Sequence, residues 1–243
     1  MCVVMKILCG LLPLPLLAAC NGLAGSGLQA NDDWAMERNA MVTQQIERRG
    51  VHDQRVLQAM RTVPRHEFIP ENQRYAAYED HPLPIGYSQT ISQPYIVAAM
   101  TEALKLRPDD TVLEIGTGSG YQAAVLATLV SNVYSIEIVP ELATRAEATL
   151  KRLGYANVHV KAGDGYKGWP SEAPFDGIIV TCAPDEIPQP LLDQLADGGR
   201  LVIPVGGRFG QELVRVTKSG DKFQRENLMG VVFVPMTGEA MGK

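Results

Sequence analysis

Residues 111 to 120 read Thr-Val-Leu-Glu-Ile-Gly-Thr-Gly-Ser-Gly, an apolar run carrying one acid, Glu114, that enters a turn with glycines at 116, 118 and 120 around Thr117. Glycine takes positive φ without steric cost and lets a ligand come close to the main chain. The helix expected next, over 120–130, presents unpaired N–H groups at its start, where polar and anionic parts of a nucleotide-like molecule bind. A second apolar run, Val133 to Ile138, delivers Glu137 17 residues past Gly120, about where a carboxylate meets ribose hydroxyls. A third acid, Asp164, lies between Gly163 and Gly165. These types and spacings are those of a nucleotide-like cofactor site. The plainer alternatives are a solvated strand-end carboxylate for Glu137 and a turn residue for Asp164. A dinucleotide fingerprint is not satisfied, because the last glycine position counted from Gly116 is Tyr121.

Such groups need elements to hold them. From 111 onward, strand and helix patterns alternate, the mark of βαβ units and a parallel sheet covered on both faces. Strands are expected near 111–115, 133–138, 157–161, 175–181 and 199–205, with helices near 120–130, 140–153 and 188–196. Gly154 and Gly198-Gly199 read as helix C-caps. Glu212 to Thr217, a turn at 218–221 and Phe223 to Val234 form a β-hairpin. Ahead of the sheet, 34–105 reads as an accessory segment with helices near 34–49, 53–61 and 94–105, joined by a proline-rich ordered loop from Val63 to Pro94.

With 243 residues, 46% hydrophobic and 20% charged, the composition is that of a globular protein. Residues 1–20 differ: Lys6 is their only charge, and the apolar run Ile7 to Leu17 leads to Leu17-Ala18-Ala19-Cys20, a secretory leader. Residues 21–33 read as a tether. The leader and its final residue hold Cys2, Cys9 and Cys20, so Cys182 is alone beyond them and no intrachain disulfide framework is possible there. His52, His66, His81 and His159 show no metal-ligand spacing and are expected on surfaces or loops, so no metal is expected. Without Lys6 the chain keeps 21 basic against 27 acidic residues, a net charge of −6, which argues against a nucleic-acid partner.

Two further stretches, Val63-Pro64-Arg65-His66-Glu67-Phe68-Ile69-Pro70 and Leu83-Pro84-Ile85-Gly86-Tyr87-Ser88-Gln89-Thr90-Ile91-Ser92-Gln93-Pro94, join the glycine turn, Gly163-Asp164-Gly165 and Pro174 to Pro184 in one order. The turn resembles motif I of class I S-adenosylmethionine methyltransferases. The whole set, over about 36–236, resembles protein-L-isoaspartate O-methyltransferase. The resemblance implies an α/β fold: a Rossmann-like, doubly wound, seven-stranded sheet with a C-terminal β-hairpin, an N-terminal accessory segment (34–105) that takes the substrate and a cofactor-binding core (106–243). It implies S-adenosylmethionine as methyl donor, held by Glu114, Gly116, Thr117, Gly118, Gly120, Glu137, Asp164 and Gly165. Ser92 maps onto the family's assigned active-site serine, although a helix N-cap is the alternative for a serine just before Gln93-Pro94. Ser88, Gln89 and Thr90, with Ile91, are weaker candidates for holding substrate.

The implied reaction moves the methyl group to the side carboxylate of an isoaspartyl residue in a damaged protein or peptide. A carboxyl with a reference pKa of about 4 is already ionised, so no strong base is needed. The Asn/Asp-Pro-Pro-aromatic motif of amino-directed methyltransferases is missing after the fourth strand, where Thr181-Cys182-Ala183-Pro184 stands. The alternatives are a methyltransferase for another carboxylate or small molecule, and an exported binding module that has lost catalysis. A monomer is expected. The leader resembles a bacterial lipobox, which implies export to the periplasm and a lipid anchor on Cys20 as the only membrane attachment expected. The family is usually cytoplasmic, which would apply if translation began at Met36 or Met41.

Overall fold

The structure, a computed structural model, describes residues 34–207 and 210–242. The leader, the tether and Cys20 lie outside the described residues. The chain opens with α1 (Ala35–Met41), which runs on through a π turn (Val42–Ile46) and a 3₁₀ turn (Glu47–Arg49) into α2 (Gln54–Thr62). Asp53 caps α2, its carboxylate accepting from the N–H groups of Arg55 and Val56. The stretch expected as loop holds two 3₁₀ turns (Arg65–Phe68 and Glu71–Ala76) and a small hairpin of β1 (Leu83–Gly86) and β2 (Gln89–Ile91), followed by α3 (Pro94–Leu104). Then come β3 (Thr111–Ile115), α4 (Tyr121–Ala127), β4 (Asn132–Glu137), α5 (Pro140–Arg152), β5 (Val158–Ala162), β6 (Phe175–Val180), α6 (Gln189–Asp193), β7 (Leu195–Val205), β8 (Gln211–Ser219) and β9 (Lys222–Val231). Among the described residues no helix is long and apolar enough to cross a membrane.

The seven-stranded sheet has the order β5-β4-β3-β6-β7-β8-β9. The strands from β3 to β7 are parallel, and β8 and β9 return antiparallel as the expected hairpin. After β3 the chain winds outward through β4 to β5, and β6 then starts on the other side of β3. The sheet thus has a topological switch point between β3 and β6, where open α/β sheets take ligands at the carboxyl ends of their strands.

Alternation along the strands sorts side chains onto two faces. Val112, Val133, Ile179, Val202 and Leu213 join a core with the N-terminal helices, α4 and α5. Leu113, Ile115, Ile136, Ile178 and Leu201 pack on the other face against Leu191 of α6, Leu195 and Met236. The accessory segment is therefore continuous with the core of the sheet, and the described residues form one compact unit. Arg65 fastens the two, its buried guanidinium lying 4.9 Å from the centre of the Tyr121 ring at the start of α4. Burial lowers its pKa to about 10, which leaves it charged at neutral pH.

Several expectations need correction. The helix expected over 188–196 is only five residues long, because Leu195 pairs with Phe175 and starts β7. Gly198 and Gly199 do not cap it: Phe175 pairs with Leu195 and Gly177 with Arg200, so three extra residues of β7 loop out and carry the glycines. Gly154 does end α5 in the left-handed region, with the Tyr155 N–H returning to the Leu150 carbonyl. His66 is buried, stacked on Trp34 and bonded to the Tyr78 hydroxyl, whereas the other three histidines are exposed.

The β1–β2 hairpin turns on Tyr87 and Ser88, both at positive φ (54° and 56°), a two-residue turn that normally favours glycine or asparagine. Ser88→Gly should raise stability by up to about 1 kcal/mol in urea unfolding, because relief of the left-handed strain exceeds the entropy that glycine adds to the unfolded chain. Gly120→Ala should cost more than about 1 kcal/mol in the same experiment: its φ is 89°, and a Cβ there would sit 3.3 Å from Leu150 on α5.

Candidate functional site

Three consecutive residues at the end of β4 hold the glycine turn. The Ser135 hydroxyl lies 2.5 Å from that of Thr117. The Ile136 carbonyl accepts from the N–H groups of Gly116 (2.8 Å) and Thr117 (3.3 Å), and Glu137 Oε2 accepts from the Gly118 N–H (2.7 Å). The second oxygen of Glu137 accepts from the Val139 N–H at the start of α5. Gly116 must be glycine here, because its φ is 98° and a Cβ would stand 2.3 Å from Thr181 Oγ1.

At the carboxyl ends of β3, β4 and β6 this turn walls a cleft of about 610 Å³, solvent at its mouth included. Gly116, Gly118, Glu137, Asp164 and Gly165 line it, with Ile115, Ile136 and Ile138 forming apolar walls. The β1–β2 hairpin contributes Gln89 and Thr90, and residues 234–237 close it from the C-terminal side. Those residues are held by a parallel bridge in which the Ala183 N–H donates to the Val234 carbonyl and the Met236 N–H to the Ala183 carbonyl. Asp164 accepts from the N–H groups of Tyr166 and Glu239, so it ties the chain after β5 to the C-terminal segment. Each carboxylate oxygen of Glu137 and Asp164 keeps a further lone pair for a hydroxyl or amino donor. Apolar walls, main-chain approach at two glycines and two acids suit a molecule with a flat base, sugar hydroxyls and a cationic centre.

A second cleft adjoins the first. It measures about 1680 Å³ with its open side and is lined by Ser92, Tyr95 and Ile96 at the start of α3, and by Gly230 to Val234 running out of β9. Thr90, Thr181 and Val234 line both clefts and mark where they meet. Arg49 is the single charged residue among those described in its lining, and it is engaged by Asp80 (3.0 Å) and by the Tyr95 ring.

The residues singled out in sequence do not all come together. Ser92 precedes the helix cap, which is Gln93, and lines the second cleft. Ser88 is exposed at the hairpin tip in neither cleft, and Ile91 is buried in the core. Gly120 faces α5, while Thr117 and Glu114 lie beneath the cleft wall. Asp176 accepts from the Thr111 N–H and so pins the start of β3. Gln89, a weaker substrate-side candidate with Ser88 and Thr90, lines the first cleft, whereas Thr181 and Val234 to Thr237 are not among the residues singled out. Only Thr181 had a signal, its place at the end of the fourth parallel strand; its hydroxyl donates to the Gly116 carbonyl (2.7 Å). Cys182 lines the first cleft, and burial pushes its thiol up to about 12, so it is no thiolate nucleophile.

A doubly wound sheet with a glycine turn at its switch point and an acid ending the next strand defines a class I S-adenosylmethionine-dependent methyltransferase. Within that class the match is specific: residues 36–241 fit the model of the family described as protein-L-isoaspartate(D-aspartate) O-methyltransferase (PCMT), and the chain belongs to that family. It is 58% identical over 202 residues to protein-L-isoaspartate O-methyltransferase 1 of Syntrophobacter fumaroxidans, covering 83% of this chain and 94% of that one. Against protein-L-isoaspartate O-methyltransferase of Methanoculleus marisnigri it is 56% identical, covering 86% and 94%. A solved protein-L-isoaspartate O-methyltransferase superposes with a TM-score of 0.75 at 30% identity over 84% of this chain and 67% of that one. A Plasmodium falciparum protein assigned to the same enzymes and solved with S-adenosyl-L-homocysteine gives 0.73 at 27% identity, over 82% and 98%.

Glu114 is fully buried, and burial pushes its pKa up to about 8; the Ser135 hydroxyl opposes the rise and the charge of Glu137 adds to it. Because the folded value exceeds the ordinary 4.5, this group's contribution to stability is complete below about pH 4.5 and is lost as the pH climbs to about 8. Across that window it removes up to about 1.4 kcal/mol per pH unit. Glu114→Gln should therefore flatten the decline in stability between pH 5 and pH 8, measured by urea unfolding. An equal slope in both proteins would show that Glu114 does not carry it.

Proposed function

We infer that this chain transfers the methyl group of S-adenosylmethionine to the carboxylate that an isoaspartyl residue leaves free of the peptide backbone. The observation that carries this is the junction of the two clefts at Thr90, Thr181 and Val234, with a donor-sized cleft on one side and a long open one on the other. S-adenosylmethionine supplies an activated methyl group and leaves as the neutral thioether. Gly116, Gly118 and Gly165 give main-chain approach, Glu137 is placed to accept from ribose hydroxyls and Asp164 to meet the base. Glu114, Thr117 and Gly120 support this wall from beneath.

The acceptor is already ionised, so the protein's task is to align that oxygen and remove its water. In this reading Ser92 and Thr90 hydrogen-bond the acceptor, and a described lining whose one charge, Arg49, is paired with Asp80 suits a peptide read by its backbone rather than by its charges. Neither residue attacks. In this reading the enzyme works as a monomer on isoaspartyl proteins and peptides, and the accessory segment is its substrate side.

The decisive experiment offers radiolabelled S-adenosylmethionine with an isoaspartyl peptide and with its normal aspartyl twin. Base-labile label on the isoaspartyl peptide alone is expected; label on neither, with donor still bound, would favour another acceptor or a binding module. Ser92→Ala should lower kcat/KM for the peptide about tenfold or more, a hydrogen bond's worth, and leave donor affinity unchanged. Glu137→Gln should weaken the donor by a similar factor of about ten and spare the peptide KM.

The leader supports a further proposal, that the protein is exported and carries lipid on Cys20. Cell fractionation tests it: Cys20→Ala should release the protein from membranes, and a soluble cytoplasmic pool of the unaltered protein would favour an internal start at Met36 or Met41.

A further inference from the structure

Ser135 lines neither cleft, and methyl transfer assigns it no part. Yet it sits between two polar groups, Glu114 and Thr117, at the buried end of β4. β3 and β4 run in parallel register with Glu114 beside Ser135, flanked by Val112 with Val133. The Ser135 hydroxyl lies 2.5 Å from Glu114 Oε2 and equally close to Thr117 Oγ1. All three residues are buried, and Glu114 Oε1 has no hydrogen-bond partner. Thr117 in turn stands between Gly116 and Gly118, which wall the donor cleft.

A buried polar chain is costly compared with apolar packing unless its members satisfy one another. Here the chain of two links ends at the turn, on Thr117, so it fixes the rotamer of the residue between the two wall glycines. We propose that Ser135 is a positioning residue, which through Glu114 and Thr117 sets the glycine turn in the conformation that takes the methyl donor. The inference rests on the first cleft being the donor site.

The direction of the relay depends on one proton. With Glu114 protonated on Oε2, the carboxyl donates to Ser135, Ser135 donates to Thr117 and the Thr117 proton is free to bond elsewhere in the turn. With Glu114 ionised, Ser135 donates to Glu114, Thr117 must donate to Ser135, and a second negative charge is buried near Glu137. Among the described residues Glu137, ending β4, is the titratable group that acts on Glu114, whereas β6 brings only Ile179 alongside it. Donor affinity should therefore fall as Glu114 ionises.

The test is calorimetric binding of S-adenosyl-L-homocysteine between pH 6 and pH 9 to the unaltered protein, Ser135→Ala and Glu114→Gln, with peptide kinetics at saturating donor. Ser135→Ala should bind about tenfold more weakly at pH 7, one hydrogen bond's worth, with kcat and the peptide KM unchanged. The unaltered protein should lose several-fold in affinity above pH 8. Glu114→Gln, compared with its own affinity at pH 7, should lack that alkaline loss, and since titration of the ligand's own amino group is common to both proteins, the difference in slope belongs to Glu114. Unaltered affinity and pH profile in Ser135→Ala would overturn the proposal. Should that variant not fold, an alkaline loss persisting in Glu114→Gln would overturn it instead. Failure of the unaltered protein to bind the ligand would count against the donor site, not the relay.

Discussion

Everything at the site hangs on how the end of β4 grips the glycine turn after β3. Ser135, Ile136 and Glu137 offer a hydroxyl, a carbonyl and a carboxylate in succession, and the turn answers with the Thr117 hydroxyl and the N–H groups of Gly116, Thr117 and Gly118. A turn rich in glycine loses more conformational entropy on folding than any other, so it needs such a mould to hold one shape. The parallel register that sets Glu114 beside Ser135 also carries Ile115 beside Ile136 and brings Glu137 under the turn. Sheet register and the shape of the first cleft are the same fact.

The accessory segment depends on that frame in turn. Arg65 rests on Tyr121, the first residue of the helix the turn opens, and Arg145 on α5 donates to the Ile85 carbonyl in the β1–β2 hairpin. Ile85 itself comes within 3.5 Å of where a Cβ on Gly118 would stand. The hairpin is thus pressed against the turn from above while β4 holds it from below. A displaced turn would move Thr90, and with it the boundary between the two clefts.

The sheet was legible because its strands are apolar runs ending in glycine or acid, and because local chemistry alone singles out Gly116, Gly118, Glu137 and Asp164. The hairpin of β1 and β2 was not. Its strands have four and three residues, Pro84 interrupts the first, and Tyr87-Ser88 is an unusual pair for a tight turn. The start of β7 was read as helix because Leu191, Leu192 and Leu195 fall at helical spacing, and the pairing of Leu195 with Phe175 overrides it. Val234 to Thr237 reach the first cleft through a bridge to Ala183, a tertiary event with no local signature. Ser135 is the subtler case, since a serine within a strand has no pattern to mark it until register sets it beside a buried acid.

The same geometry explains why the second cleft needs no catalytic acid or base. An amine or hydroxyl acceptor must lose a proton as it is methylated, which would call for a titratable group near Thr90 and Thr181. None of the described residues shared by the two clefts is titratable at neutral pH, and Cys182, the nearest thiol in the wall, is held neutral by burial. An acceptor already anionic makes no such demand. Arg49 is occupied by Asp80 and Tyr95, so among the described residues the lining offers no free cation to bind the carboxylate tightly in its ground state. Weak ground-state attraction is an advantage here, because a carboxylate held by a strong ion pair is a poorer nucleophile than one held by hydroxyls, and only contacts that strengthen as the methyl group moves raise the rate.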